Sequence, residues 1–324
     1  MRVRIGRIDE ADLNLFEFDY DNTMMIFFLN AEEKIYGRFG GRDAKSAEGR
    51  MSLAGLHYAM AGALETHANQ EKNAEAEPAR REPKRIRDVG VGGRFGRGGC
   101  VHCHQVHEIL NADLQRKGLW SKDNVWRYPP PDNLGFILEI NRGNVVKQVE
   151  PDSPAARAGL QPGDVVQRLN NTLVHSFADA QYALDRAPKA GTVEVVWQRG
   201  EQTMKGELAL VEGWRRTDIT WRPSLQRFIP SPRLFGPDLT EQEKSALSLS
   251  AKQLAFRQGE NVHSQARDAG IKPGDIILGV DDRKLEMDST EFIWYVRRNY
   301  VVGDRVTVNL IRNGERMNLP MNLR

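Results

Sequence analysis

One stretch of this chain recurs. Ser153-Pro154-Ala155-Ala156-Arg157-Ala158-Gly159-Leu160-Gln161-Pro162-Gly163-Asp164-Val165-Val166 is echoed by Gln265-Ala266-Arg267-Asp268-Ala269-Gly270-Ile271-Lys272-Pro273-Gly274-Asp275-Ile276-Ile277-Leu278. Each residue type has a local consequence. Ser153 caps a short helix with Pro154 at its first position. Gly159 ends that helix in the left-handed conformation, and Pro162-Gly163-Asp164 turns the chain into a strand. The second copy keeps all of this except the cap, where Gln265 stands in place of Ser-Pro. Downstream, Ser176 caps a helix carrying Phe177, Ala180, Leu184 and Ala187, and apolar strands follow at 193–197 and 207–210. The second copy is followed by a helix around Ser289–Asn299 and strands at 304–311 and 317–323, joined by the hairpin turn Asn313-Gly314.

A motif of this kind, preceded in the first copy by Asn133-Leu134-Gly135-Phe136, resembles the PDZ family, in the form found in bacterial periplasmic proteases and secretion proteins. The resemblance covers more than half of the chain. It implies an α+β multidomain protein built on two PDZ-like, partly open β-barrels with flanking helices, at 132–212 and 238–324. It also implies that an extended peptide adds to a strand edge while loop amides hold its C-terminal carboxylate. The matching loop residues are Leu134, Gly135 and Phe136, and Phe177 opens the flanking helix. An apolar residue there implies an apolar ligand residue two positions before the C-terminus; the alternative is that Phe136 and Phe177 are core residues. In the second module Leu254-Ala255-Phe256 takes the loop position, with alanine for glycine.

Both cysteines lie in Cys100-Val101-His102-Cys103-His104. Cys-x-x-Cys-His is the pattern that attaches a c-type haem, the thiols tethering the porphyrin and the adjacent imidazole reaching the iron. The expectation is covalent haem c on Cys100 and Cys103 with His104 as the iron ligand. His107, one turn on and on the same helical face, cannot reach the opposite side of the iron; His57, His67, Met51 and Met60 are the remaining distal candidates. Three other readings stand beside it: zinc held by Cys100, Cys103 and two of His102, His104 and His107, a thioredoxin-type dithiol, or an inert pair.

Residues 1–69 read as strand, turn, strand and helix, with Leu53, Leu56, Met60 and Leu64 at helical spacing. This order resembles the C-terminal half of a thioredoxin-like domain, which implies a partial α/β segment and an upstream truncation. Residues 70–99, polar, basic and then Arg/Gly-rich, read as a solvated tether, with single-stranded RNA binding as the alternative. Residues 100–131 form the helical Cys-x-x-Cys-His segment. The Trp/Arg/Pro-rich connector 213–237 is expected to wedge two domains together.

With 46 basic and 44 acidic residues the net charge is +2, which gives no global case for nucleic-acid binding. No apolar run approaches the about 20 residues of a membrane span. The opening Met1-Arg2-Val3-Arg4-Ile5-Gly6 is no secretory signal, yet haem attachment and the PDZ resemblance both imply a periplasmic or otherwise extracytoplasmic location. No Gly-x-Ser-Gly or Gly-x-Ser-x-Gly setting for a nucleophile occurs. The combined expectation is a non-enzymatic, haem-bearing electron-transfer adaptor, with peptide C-termini and a redox protein as partners. A zinc-stabilised scaffold and a thiol-redox adaptor are its alternatives.

Overall fold

The computed structural model describes residues 2–69, 82–90 and 101–324. They divide into two compact units: one of 1–217 with 221–224, the other of 218–220 with 225–324. Most of the expected tether, and Cys100 with it, lies outside the described residues.

The first unit opens with an irregular segment, then the antiparallel hairpin β1 (Met25–Leu29) and β2 (Ile35–Gly40), then helix α1 (Leu53–Ala68). The thioredoxin-like expectation is corrected here. Among the described residues β1 and β2 form a two-stranded sheet of their own. The helix is also turned the other way: α1 buries Gly55, Ala59 and Ala63 and leaves Leu53 and Leu64 69% and 66% exposed. Small residues let its backbone approach the neighbouring elements closely, so spacing alone misread the inner face. Ile8, Leu13, Phe18 and Tyr20 instead make a core with helix α2 (Cys103–Arg116), through Val106 and Ile109.

The first repeat follows. β3 (Phe136–Leu138) pairs with β4 (Val146–Val149); α3 (Pro154–Ala158) leads to β5 (Val165–Leu169) and β6 (Thr172–Leu173). Helix α4 (Phe177–Asp185) then precedes the long hairpin β7 (Gly191–Arg199) and β8 (Gln202–Leu210), giving a sheet ordered β6-β5-β7-β8. The local chemistry is as read: Ser153 Oγ accepts from Ala156 N–H at 3.1 Å, and Gly159 sits at φ 93°. Trp214, placed in the connector by sequence, packs in this core and donates to Pro188 O.

The second repeat comprises α5 (Glu241–Ala246), β9 (Phe256–Arg257), α6 (Ser264–Asp268), β10 (Ile276–Val280), α7 (Ser289–Asn299), β11 (Arg305–Arg312) and β12 (Glu315–Asn322). Its sheet runs β12-β11-β10-β9.

Both modules share a brace that sequence reading missed. Arg199, at the end of β7, forks onto buried Asp164 at 2.8 and 2.8 Å and reaches Gly159 O at 2.7 Å. Arg312, at the end of β11, does the same to Asp275 at 2.7 and 2.7 Å and to Gly270 O at 2.7 Å. The signal was an arginine just before the β-turn in each copy. Each aspartate also accepts the backbone N–H three residues back, from Gln161 and from Lys272. Asp164→Asn or Asp275→Asn removes charge from a bidentate pair while keeping its shape, and is expected to cost about 1–2 kcal/mol in chemical denaturation. A neutral result at both positions would dismiss the brace.

Candidate functional site

Peptide addition requires a strand edge whose backbone is not already paired. In the first module Glu150 N–H donates to Gly135 O and Glu139 N–H to Val145 O, both at 2.8 Å. Alternation along an antiparallel pair then turns the backbone groups of Phe136 and Leu138 to the opposite edge of β3. Gly135 lies at φ 82°, and a Cβ there would meet Ser153 Cβ at 2.1 Å, so the loop needs glycine on both counts. Leu134, Phe136 and Phe177 are all buried. Leu134 and Phe136 belong to the module's core, while Phe177 lies outside that cluster.

The second module places its corresponding edge elsewhere than sequence suggested. Gln258 N–H donates to Asp275 O and Gln258 O accepts from Gly274 N–H, as the backbone of Val146 does with Asp164 and Gly163. Gln258 and β9 therefore match β4, and Leu254, Ala255 and Phe256, all fully buried, are not the loop. The outer strand is the stretch 235–239: Gly259 N–H donates to Phe235 O, Arg257 N–H to Pro237 O, and Leu239 N–H to Ala255 O, each at 2.9 Å. Insertion of α5 between the paired strands hid this match. The loop position belongs to Arg233, a non-glycine residue at φ 54°. By the same alternation Gly236 and Asp238 face the outer edge, and Asp238 carboxylate oxygens accept Ser289 N–H at 2.9 Å and Ser289 Oγ–H at 3.0 Å. This bond sets the start of α7 beside that edge.

The two flanking helices differ in surroundings. Helix α7 buries only Phe292 and Val296, and Trp294 is 45% exposed. Helix α4 buries Phe177, Ala178, Asp179, Ala180, Gln181, Ala183 and Leu184. Its cover comes from earlier parts of the chain. Arg38 N–H donates to Asp179 at 2.8 Å, Ser176 Oγ donates to Arg38 O, and the Arg38 guanidinium lies 3.4 Å over the Tyr182 ring. Burial pushes the Asp179 carboxyl up to about 6, against the opposing effect of Arg38. Arg50 stacks 4.8 Å from the Phe177 ring centre and ion-pairs with Asp132 at 2.5 Å. Gln181 donates to Tyr128 O at 2.9 Å.

The Cys/His segment begins α2. Cys103 is exposed, its thiol pushed up by partial desolvation, which works against nucleophilic redox chemistry. His104 Nδ1 lies 3.1 Å from Glu108, one turn on, and Gln105 Oε1 accepts His102 N–H at 2.8 Å. His107 does not join them: it is buried, with Nδ1 3.4 Å from Asp21.

Asp19, Asp21 and His107 come close enough to share a metal ion. A cation is already there: the Arg222 guanidinium sits 2.6 Å from Asp19 and 3.3 Å from Asp21. Ser224 also meets Asp21, donating from Oγ at 2.7 Å and from N–H at 3.0 Å. Here the aspartate bridges serine and histidine, whereas a hydrolytic triad needs the histidine between the other two.

Comparison with known proteins fits the repeated modules. Two PDZ-domain family models match residues 145–199 and 257–323. The chain is similar to a periplasmic serine endoprotease, DegP-like, of Pseudomonas fulva, at 30% identity over 53% of this chain and 36% of that protein. It is also similar to the periplasmic pH-dependent serine endoprotease DegQ of Escherichia coli, at 26% identity over 45% of this chain and 30% of that protein. A third is the periplasmic serine endoprotease DegP of Salmonella typhimurium, at 26% identity over 46% and 28%. The chain spans about a third of the length of these relatives. They correct the haem-bearing, non-enzymatic electron-transfer expectation: the relatives are named as serine endoproteases, not as haem or electron-transfer proteins. A redox partner has no support. The conclusion the fold and the comparisons carry together is that this chain holds two tandem PDZ domains.

Proposed function

We propose that the chain is a protease-related peptide-docking unit of an extracytoplasmic protein, holding extended C-terminal segments of other proteins through its PDZ modules. The observation that carries this is the outer edge of 235–239, where Gly236 and Asp238 turn their backbone groups towards the side on which α7 starts. A peptide laid there gains main-chain hydrogen bonds from the strand and side-chain contacts from the helix. The relatives, periplasmic endoproteases, supply the context of proteolysis and location. For the first module the corresponding residues are Leu134, Gly135 and Phe136 in the loop, with Phe177 on the helix.

The test is selection of random C-terminal heptapeptides on the intact chain. Peptides with a free carboxylate are expected to bind, and their C-terminal amides at least about tenfold less well, since each loses a charge-assisted contact. Equal binding of acid and amide would overturn carboxylate recognition.

A further inference from the structure

We infer that the first PDZ domain has its groove closed by the chain's own residues, so that the intact chain takes up peptide through the second domain alone. The inference rests on the peptide-docking reading and assigns it to one module.

Helices α4 and α7 are equivalent elements of the two modules. Ser176 and Asp288 are the N-caps of α4 and α7, each accepting the backbone N–H three residues on. Counting from the caps, Ala180 and Leu184 correspond to Phe292 and Val296, and all four lie in their module's core. Phe177 and Gln181 correspond to Ser289 and Ile293. These positions, one turn apart, form the helix face beside the core stripe.

In α7 that face is less covered: Ser289 and Ile293 are only half-buried, and between Phe292 and Val296 it is Tyr295 that packs, in part, against the core. In α4 both positions are buried, and Phe177 lies outside the module's core cluster. Arg50 covers Phe177 and reaches across to Asp132, in the turn leading to Leu134-Gly135-Phe136, so one side chain ties helix wall to loop. Gly41 lies so close that a Cβ there would meet the Phe177 ring at 2.7 Å. At the far end of β3, Ser52 Oγ donates to Asn141 Oδ1 at 2.8 Å, and a Cβ on Gly55 would meet Ile140 O at 2.3 Å. On the helix's remaining side Tyr128 O takes the Gln181 amide and Asp185 takes Arg127. A peptide entering this groove must displace several of these contacts together.

The closure is read without a ligand by cysteine labelling of the full chain, with Cys100→Ser and Cys103→Ser as background. Gln181→Cys is expected to react with a maleimide at least about tenfold more slowly than Ile293→Cys, because reaction waits on local opening. Adding Arg50→Glu is expected to speed labelling at Gln181→Cys and leave Ile293→Cys unchanged. Comparable rates at the two cysteines overturn the closure. Receptor assignment is read on the unmodified chain with one heptapeptide selected as above. Slower hydrogen exchange is expected at 234–239 and 289–297, and slowing at 136–138 and 177–185 overturns it. Selection of no peptide sinks the docking reading, while the labelling ratio still decides the closure.

Discussion

Arg222→Met lowers the stability of the first unit by about 3–5 kcal/mol, because it leaves two buried carboxylates without their cation. The methionine keeps most of the side-chain length, so packing changes little and electrostatics carries the effect. Arg222, Asp19 and Asp21 are all buried, and the guanidinium touches both acids. Burial raises the Asp21 carboxyl, but His107, Arg222 and Ser224 outweigh it and hold it well below the usual range. The sign of the pH dependence follows. A depressed carboxyl contributes stability that is fully present above its unfolded value of about 3.9 and is lost as pH falls further. In the variant the two acids relieve their repulsion by taking up protons, so its deficit against wild type shrinks on acidification. Urea unfolding followed by tryptophan fluorescence at pH 7 and pH 4 reads both. A deficit below about 1 kcal/mol at pH 7 would place the cluster among weakly coupled surface pairs. The cluster joins the opening segment, α2 and the chain near residue 222, so its loss also loosens what covers α4.

What was legible in the sequence was the chemistry that acts over a few residues. Ser153, Pro154, Gly159 and the Pro162-Gly163-Asp164 turn each dictate a local conformation, and their recurrence at 265–278 made two modules readable. Contacts between distant residues left no such trace. Asp19 and Arg222 are some two hundred positions apart, and nothing in either segment names the other. The outer strand of the second module was missed because α5 separates it from β9, whereas β3 and β4 are joined by a short connection. Helix α1 was misread because Gly55, Ala59 and Ala63 pack by closeness rather than by bulk. The Cys-x-x-Cys-His pattern misled for the opposite reason: five local residues specified a cofactor, whereas the chain's periplasmic relatives are serine endoproteases. In the structure His107 turns inward to Asp21 and His104 to Glu108.

Gly55→Ala is expected to destabilise the protein by about 1–3 kcal/mol, against the direction helix propensity gives. In an exposed helix the same change gains up to about 1 kcal/mol, since alanine loses less backbone entropy than glycine. Gly55 is not exposed. A methyl there would stand 2.3 Å from Ile140 O, 3.2 Å from Ser52 Oγ and 3.4 Å from the Phe39 ring. The nearest of these is backbone and cannot swing aside. Ser52 is also held at both ends, accepting from Gly55 N–H at 2.9 Å while donating to Asn141. The start of α1 must therefore lift away from 140–141, and the chain between Gly41 and Ser52 moves with it. Leu64→Ala, on the exposed face of the same helix, serves as control and stays within about 0.5 kcal/mol. Urea unfolding of both variants decides the matter by sign. A Gly55→Ala protein more stable than wild type would mean that α1 is not seated against the end of β3 in solution. Destabilisation together with faster maleimide labelling at Gln181→Cys would connect that seat directly to the cover over α4.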